Sequence, residues 1–207
     1  MIYRRIEVRP FGTNCYLVAS NQTRDGMVID SAGDAMRILS NTSELGLKIK
    51  AIVATHTHPD HLGAVRFIKD STGAPFMVHR AEAGNLEHPA YAQMTSLDPT
   101  LRPPPPPDRL LQDGDRIEIG DLTFHVMHTP GHSPGGICIV GYGAVFSGDT
   151  LFNLGIGRTD GPGCSHEQLM ASIRSKLLAL PDKTTVLPGH GPGTTIGQER
   201  MMNPFLR

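Results

Sequence analysis

The sequence predicts a layered α/β or α+β domain built on mixed β-sheets. Three observations point to it: short apolar runs bounded by turn residues, stretches of helical apolar spacing between those runs, and a high content of glycine and proline. The 207 residues include 23 Gly and 17 Pro, which predicts many turns and tight loops. Tryptophan is absent and aromatic residues make up 5%, so aliphatic side chains are expected to fill the core.

The first part of the chain alternates strand and helix patterns. Alternation of apolar and polar residues predicts a half-buried strand over 2–9, and short apolar runs predict strands over 15–20, 26–30, 49–54 and 76–79. Helical spacing predicts one helix over 34–47, with Asp34 as its N-cap, and a second over 61–72 that ends near Gly73.

The second part begins with an irregular stretch, residues 85–108, in which Pro103–Pro107 should be extended. Strands are then predicted over 115–119, 122–127, 137–140, 144–147 and 184–187. Residues 166–179 have helical spacing and Ser165 as a cap, whereas the tail from Thr194 has no clear periodicity.

Charge and composition exclude some classes of protein. The 19 basic and 20 acidic residues nearly cancel, which argues against a nucleic-acid partner. The N-terminus has no signal-like apolar segment and no apolar run is long enough to span a bilayer, so no membrane partner is expected. Three widely spaced cysteines form no Cys-x-x-Cys pair, and we expect a soluble cytoplasmic protein of undetermined oligomeric state.

Histidine and aspartate are concentrated just after predicted strands. Residues 55–63 place His56, His58, Asp60 and His61 directly after a buried strand, a strong metal-binding pattern. Further along the chain, three single residues occupy Gly-rich loops after strands: His132, Asp149 and His190. Taken alone, each of these three is as well explained by a structural role in its loop. Together with the first group they predict one site, and imidazole and carboxylate ligands suit zinc, iron or manganese.

This pattern resembles the metallo-β-lactamase superfamily, with His-x-His-x-Asp-His followed by His, Asp and His in the family's order. The resemblance implies a four-layer αβ/βα sandwich, metallo-β-lactamase-like, with two mixed β-sheets flanked by helices and a binuclear metal site at the sheet edges. It implies one metal on His56, His58 and His132, a second on Asp60, His61 and His190, and Asp149 bridging both. Both divalent ions are expected to be zinc, and iron and manganese are the alternatives.

Within the superfamily, Asp149 in the bridging position speaks against a true β-lactamase. The segments Gly155–Asp160, Leu187–Pro192 and Thr195–Phe205 resemble short bacterial type II glyoxalases, the hydroxyacylglutathione hydrolases. That resemblance implies hydrolysis of a small-molecule thioester, such as a glutathione conjugate, by a metal-activated hydroxide, with Asp60 and Asp149 accepting or relaying a proton. The chain ends soon after His190, where longer members carry a helical domain for glutathione.

Arg158 corresponds to a substrate-binding basic residue, and its guanidinium would suit a substrate carboxylate. The alternative is an arginine that ties down its own loop through Asp160. Cys164 is interpreted as a small buried residue and not as a nucleophile.

Three other functions remain open. Persulfide dioxygenases resemble this chain and would use one iron on His56, His132 and Asp149. Hydrolysis of a lactone or another ester fits the same metals. A metal-binding module without catalysis is the third alternative.

Residues 1–207 are interpreted as one domain with a Pro-rich insertion around 87–108. A linker is rejected because His61 and His132, on either side of it, would serve one metal cluster. The five histidines outside the motifs are expected not to be ligands: His79, His88, His125, His128 and His166.

Overall fold

The computed structural model describes residues 1–87 and 89–207. The predicted absence of a ligand role for His88 therefore lies outside the described residues.

The first sheet has six strands in sequence order. They are β1 Ile2–Val8, β2 Thr13–Ala19, β3 Asp25–Ile29, β4 Lys48–Val53, β5 Phe76–His79 and β6 Arg109–Leu111. The pairs β1–β2 and β2–β3 are antiparallel, and the remaining pairs are parallel. Because β3, β4 and β5 run in the same direction, the loops that follow them leave from one edge of the sheet.

The second sheet also has six strands, in the order β14-β13-β10-β9-β8-β7. They are β7 Arg116–Ile119, β8 Leu122–His128, β9 Ile137–Gly141, β10 Ala144–Gly148, β13 Thr185–Pro188 and β14 Thr194–Thr195. A short hairpin, β11 Leu151–Phe152 and β12 Gly155–Ile156, follows β10. Strands β10 and β13 are parallel, and β8 runs in their direction because two antiparallel pairings separate it from β10.

The two sheets pack face to face through a shared apolar core. Tyr16, Met27 and Val53 from the first sheet meet Phe124, Ile139 and Phe146 from the second. The rings of Tyr16 and Phe146 form an edge-to-face pair with centroids 5.2 Å apart. Burial of this apolar surface holds together the two edges from which the site's loops leave.

Helices cover the outer faces of both sheets. The helices are α1 Ala35–Glu44, α2 Val65–Thr72, α3 Ala90–Leu97, α4 His166–Ser172 and α5 Ile196–Met202. The first three pack on the first sheet, and α4 and α5 pack on the second. The four-layer sandwich with two mixed sheets is therefore confirmed.

The segment predicted to be irregular contains a helix that the sequence analysis missed. Residues Arg80–Glu87 form a 3-10 helix and α3 follows at Ala90–Leu97, with Tyr91 and Met94 buried one turn apart. Two apolar anchors in eight residues are too few to stand out as a pattern, so tertiary packing decides this helix. The side chain of Arg66 then donates to the carbonyls of Pro103 and Pro104 at 2.9 and 3.3 Å. The single domain with an insertion at 87–108 stays a prediction.

One further prediction of local structure was wrong, and one helix lies where the sequence shows no clear periodicity. Asp34 precedes α1 but has a left-handed backbone and makes no side-chain cap; its carboxylate accepts from the amide of Arg9 at 2.9 Å. The tail from Thr194 contains α5, because Thr195 caps it by accepting from the amide of Gln198. The buried face of α5 includes Glu199, and a carboxylate there hides the apolar periodicity. In contrast, the Ser165 cap of α4 is confirmed by the bond from the amide of Gln168.

In the part of the chain that the structure describes, no helix combines the length and the apolarity that crossing a bilayer requires.

Candidate metal centre

The seven residues predicted as ligands lie at one edge of the sandwich. Asp60 and the three histidines of the first motif follow β4, and His132, Asp149 and His190 follow β8, β10 and β13. Since these strands leave toward the same edge in each sheet, loops far apart in the sequence meet there. A 3-10 turn at Pro59–His61 contains Asp60 and His61, and the rings of His61 and His56 lie with their centroids 4.1 Å apart.

Three histidines form the first candidate ligand set. Nδ1 of His58 lies 3.1 Å from Nε2 of His56 and 2.8 Å from Nε2 of His132. A tetrahedral zinc with Zn–N bonds of about 2.0–2.1 Å keeps its ligand atoms roughly 3.3 Å apart. The three nitrogen atoms therefore have the spacing that one shared cation requires.

Asp60, His61 and His190 form the second candidate ligand set. Oδ2 of Asp60 lies 3.2 Å from Nε2 of His190 and 3.8 Å from Nε2 of His61. One ligand atom from each of the three residues falls within 4.8 Å of the others. This set has the mixed imidazole and carboxylate chemistry that suits zinc, iron or manganese.

Asp149 lies between the two sets. Its Oδ1 is 3.4 Å from Nε2 of His61, and its Oδ2 is 3.7 Å from Nε2 of His132 and 3.8 Å from Nε2 of His190. Within the described chain, Oδ1 of Asp149 and Nε2 of His61 are buried without a hydrogen-bond partner. Buried polar atoms are seldom left unpaired, and a cation at this point would satisfy both. The residues present therefore fit divalent metal ions, as predicted.

The electrostatic surroundings favour the neutral, metal-binding form of His56 and His58, but not of His61. Burial, together with the neighbouring His61, holds the pKa of His56 well below its ordinary range, so this ring is neutral. Burial and the neighbouring His132 likewise lower the pKa of His58. Burial alone would lower the pKa of His61, but the carboxylates of Asp149 and Asp30 outweigh it and raise that pKa.

Asp30 is a supporting residue that the sequence analysis did not single out. It follows β3 and is 1% exposed. Its Oδ1 accepts from the amide of Thr55 at 2.7 Å, and its Oδ2 accepts from the Thr55 hydroxyl at 2.8 Å and lies 3.1 Å from Nδ1 of His61. The same hydroxyl is 3.1 Å from Nδ1 of His56. A carboxylate behind metal-binding imidazoles orients the rings. The sequence feature that could have revealed Asp30 is its position at the end of an apolar strand.

Two glycines permit the close packing around Asp149. A Cβ atom on Gly157 would lie 1.9 Å from the carbonyl oxygen of Asp149, and one on Gly189 would lie 2.2 Å from its Oδ1. Neither position accepts a side chain without displacing the aspartate.

A pocket of about 280 Å³ opens onto the ligands. It is lined by His58, Pro59, Asp60, His132, Asp149, Arg158, Gly161, Pro162 and Cys164. Arg158 is at its rim, and its Nε donates to Oδ1 of Asp160 at 2.8 Å, as in the loop-tying alternative. The main-chain carbonyl of Arg158 is 2.9 Å from Nδ1 of His132. Cys164 is half-buried, more exposed than expected, and its thiol donates to the carbonyl of His132.

The histidines outside the motifs take no part in either ligand set among the described residues. His79 and His128 stack with ring centroids 4.1 Å apart, and Nε2 of His128 is 3.0 Å from the carbonyl of Pro134.

A two-sheet sandwich with candidate metal ligands converging at its edge defines the class as a metal-binding domain of the metallo-hydrolase type. The sequence model described as the metallo-beta-lactamase superfamily matches residues 8–190. The chain belongs to the metallo-β-lactamase superfamily, whose fold binds divalent metals.

Two relatives match almost the full chain. Hydroxyacylglutathione hydrolase GloC of Haemophilus influenzae is 37% identical, covering 97% of this chain and 96% of the relative. The probable metallo-hydrolase YqgX of Bacillus subtilis is 36% identical, covering 100% and 98%.

Three solved structures share the fold. The B3 metallo-β-lactamase BLEG-1 has 40% identity and a TM-score of 0.90, covering 99% of each chain. TTHA1623 in a di-iron-bound form has 37% identity and a TM-score of 0.86, covering 98% of this chain and 100% of that one. ETHE1 from Myxococcus xanthus has 30% identity and a TM-score of 0.83, covering 99% and 84%.

Proposed function

We propose that this chain is a thioester hydrolase that holds two divalent cations, zinc in the first place, and acts on a hydroxyacyl thioester such as S-lactoylglutathione. The observation that carries the proposal is the presence of two ligand sets side by side, with the carboxylate of Asp149 within 3.8 Å of histidines from both. The GloC relative supports the choice of substrate, and the di-iron form of TTHA1623 supports a site for two metals.

Two cations held there would lower the pKa of a water molecule and polarise the thioester carbonyl. Asp60 and Asp149 act as carboxylates. Burial alone would raise the pKa of each, but the neighbouring imidazoles of His190 and His61 outweigh it and lower both pKa values. Both groups are therefore ionised at neutral pH and are weak bases. No strong base is needed because the two cations would already lower the pKa of the water, and no strong general acid is needed because a thiolate, whose conjugate acid has a pKa of about 8.5, leaves readily.

The pocket limits which part of the substrate is enclosed. Its volume of about 280 Å³ is at the lower end for small-molecule sites, so the acyl group fits inside and the thiol carrier extends over the rim. Arg158 stands at that rim with a largely exposed side chain. A carboxylate on the thiol carrier would compete with Asp160 for this guanidinium.

The test is hydrolysis of S-lactoylglutathione by the zinc-loaded chain, followed through loss of the thioester absorbance, with metal content measured on the same sample. We expect about two metal ions per chain and turnover that Asp149→Asn reduces at least a hundredfold. Absence of thioester turnover in the fully loaded protein would refute the proposal. Turnover unaffected by Asp149→Asn would contradict the role of the metal centre in the reaction.

The main rival is a persulfide dioxygenase, which the similarity to ETHE1 favours. It would need one iron on His56, His132 and Asp149, which the structure also brings together. The complete second set of Asp60, His61 and His190 supports the hydrolase instead. One iron per chain with oxygen consumption on glutathione persulfide would establish the rival. A β-lactam should be tested in the same assay, because the similar structure BLEG-1 is a B3 metallo-β-lactamase. A lactone should be tested as well, as an example of the other esters.

A further inference from the structure

A second buried carboxylate, Glu82, lies behind the first ligand set. It is in the 3-10 helix Arg80–Glu87 that follows β5, and it is 1% exposed. Nothing in the sequence motifs includes it, and it is not a ligand in any set that the described residues form. A buried carboxylate is costly unless it is well paired, so its partners indicate what it does.

Glu82 accepts hydrogen bonds from two separate loops. Its Oε2 accepts from the hydroxyl of Thr57, from the amide of Thr57 at 3.2 Å and from the side chain of Asn85 at 3.2 Å. Its Oε1 accepts from the amide of Gly135 at 2.7 Å. Burial alone would raise the pKa of Glu82, but the bonds from Thr57 and Gly135 outweigh it and hold that pKa below its ordinary value. The group is therefore an ionised acceptor for both loops.

These two loops carry the first ligand set. Thr57 lies between His56 and His58, in the loop after β4 of the first sheet. Gly135 lies three residues after His132, in the loop between β8 and β9 of the second sheet. Nδ1 of His58 and Nε2 of His132 are 2.8 Å apart, although the two residues lie in loops that belong to different sheets.

Among the described residues, two further contacts hold these loops, at positions away from the Glu82 carboxylate. The amide of Ile137 donates to the carbonyl of Thr55 at 2.8 Å, which connects the loops at their bases. Tyr91 donates to the carbonyl of Thr57 from α3. A Cβ on residue 135 would lie 2.6 Å from Cγ of Glu82, so glycine is what allows the carboxylate to reach both amides.

We propose that Glu82 is a positioning residue, which clamps the two loops and so holds His58 and His132 at the spacing needed to share one cation. Its bonds reach none of Asp60, His61 and His190. Its removal should therefore weaken the three-histidine site and spare the second site. This inference rests on the metal-binding part of the proposed function and is independent of the thioester substrate.

The test variant is Glu82→Gln, which keeps the shape and removes the charge. One oxygen of the amide accepts, but its NH2 group then faces donors from the other loop, so only one loop stays bonded. The assay is competition between the zinc-loaded, full-length protein and a chromophoric chelator, which resolves the two zinc affinities. We expect one affinity to fall about 10- to 100-fold, the usual effect of losing a group that orients metal ligands.

Nuclear magnetic resonance provides a second readout. The imidazole signals of His58 and His132 should change in the variant while those of His190 stay in place. Amide hydrogen exchange of Thr57 and Gly135 in the zinc-loaded protein should become faster.

The matched control is Glu199→Gln, another fully buried carboxylate. It accepts from Thr194 and Asn203 and from the amide of Leu154, away from both histidine loops. If this control lowers one zinc affinity by the same factor, or if Glu82→Gln weakens both sites equally, Glu82 is only a stability element and the inference is wrong. Unchanged zinc affinities in Glu82→Gln would also overturn it.

Thr57→Val keeps the inference testable if Glu82→Gln does not fold. It removes one donor to the carboxylate, and a smaller loss at the same site is expected; an unchanged affinity would count against the clamp. A wild-type protein that binds two zinc ions and hydrolyses no thioester would refute the proposed function and leave this inference standing.

Discussion

Replacing Asp30 with asparagine tests whether this carboxylate prepares His61 and His56 for metal binding. Asp30, itself 1% exposed, accepts two hydrogen bonds from Thr55, and its Oδ2 lies 3.1 Å from Nδ1 of His61. An amide retains one acceptor oxygen but places its NH2 group against Thr55 or against Nδ1 of His61. Either a donor of Thr55 then loses its partner in a buried site, or His61 loses the carboxylate charge beside its ring.

The size of the effect follows from that lost partner. A hydrogen bond to a charged group contributes about 1.5–3 kcal/mol. Since about 1.4 kcal/mol corresponds to a factor of ten, the expected loss is about 10- to 100-fold in zinc affinity, which agrees with the general effect of removing a group behind a metal ligand. The loss should be largest at the site that contains His61.

The measurement is a chelator competition titration of the zinc-loaded protein. Asp34→Asn is the matched control, because its carboxylate accepts from the amide of Arg9 and pairs with arginines only. We expect normal zinc affinity in the control. Two unchanged affinities in Asp30→Asn would refute the reasoning, as would an equal loss in Asp34→Asn.

Three further predictions concern the rim, the clamp and the insertion. Arg158→Gln should raise KM for a carboxylate-bearing thioester roughly tenfold with little change in kcat, since only substrate binding is lost; a selective fall in kcat would contradict this. In metal-free protein, Glu82→Gln should lower the free energy of unfolding by about 2 kcal/mol at pH 7. Because the pKa of Glu82 is depressed on folding, that difference should shrink as the pH falls below the ordinary value of 4.5, and a constant difference in urea melts would count against it. Deleting Pro103–Pro107 should change substrate range or stability but not metal content; loss of both metals would refute that expectation.

Local patterns were sufficient to predict most of the fold. Apolar runs bounded by turns predicted the strands of both sheets with few exceptions, of which the three-residue β6, Arg109–Leu111, is one. The helix α3 escaped prediction because, among its side chains that the structure describes, two are buried in the core, Tyr91 and Met94. The helix α5 escaped because its buried face contains Glu199, whose carboxylate is satisfied by the hydroxyl of Thr194 and by the hairpin after β10. Partners distant in the chain decide both cases, and a local pattern contains no information about them.

The sequence by itself determined the kind of site. It specified four metal-binding side chains after one buried strand, and three more at later strand ends, in residue types that suit a divalent cation. A strand end determines on which edge of a sheet a loop leaves, so convergence could be inferred before any distance was known.

The tertiary structure alone decided how these side chains are held. His58 and His132 are 74 residues apart in the chain and 2.8 Å apart in space, and the carboxylates of Asp30 and Glu82 support their loops from behind. A buried carboxylate gains its role from the donors that surround it. The donors to Asp30 come from the loop after the neighbouring strand β4, and those to Glu82 come from loops of two different sheets, which only the packing of one sheet on the other brings together.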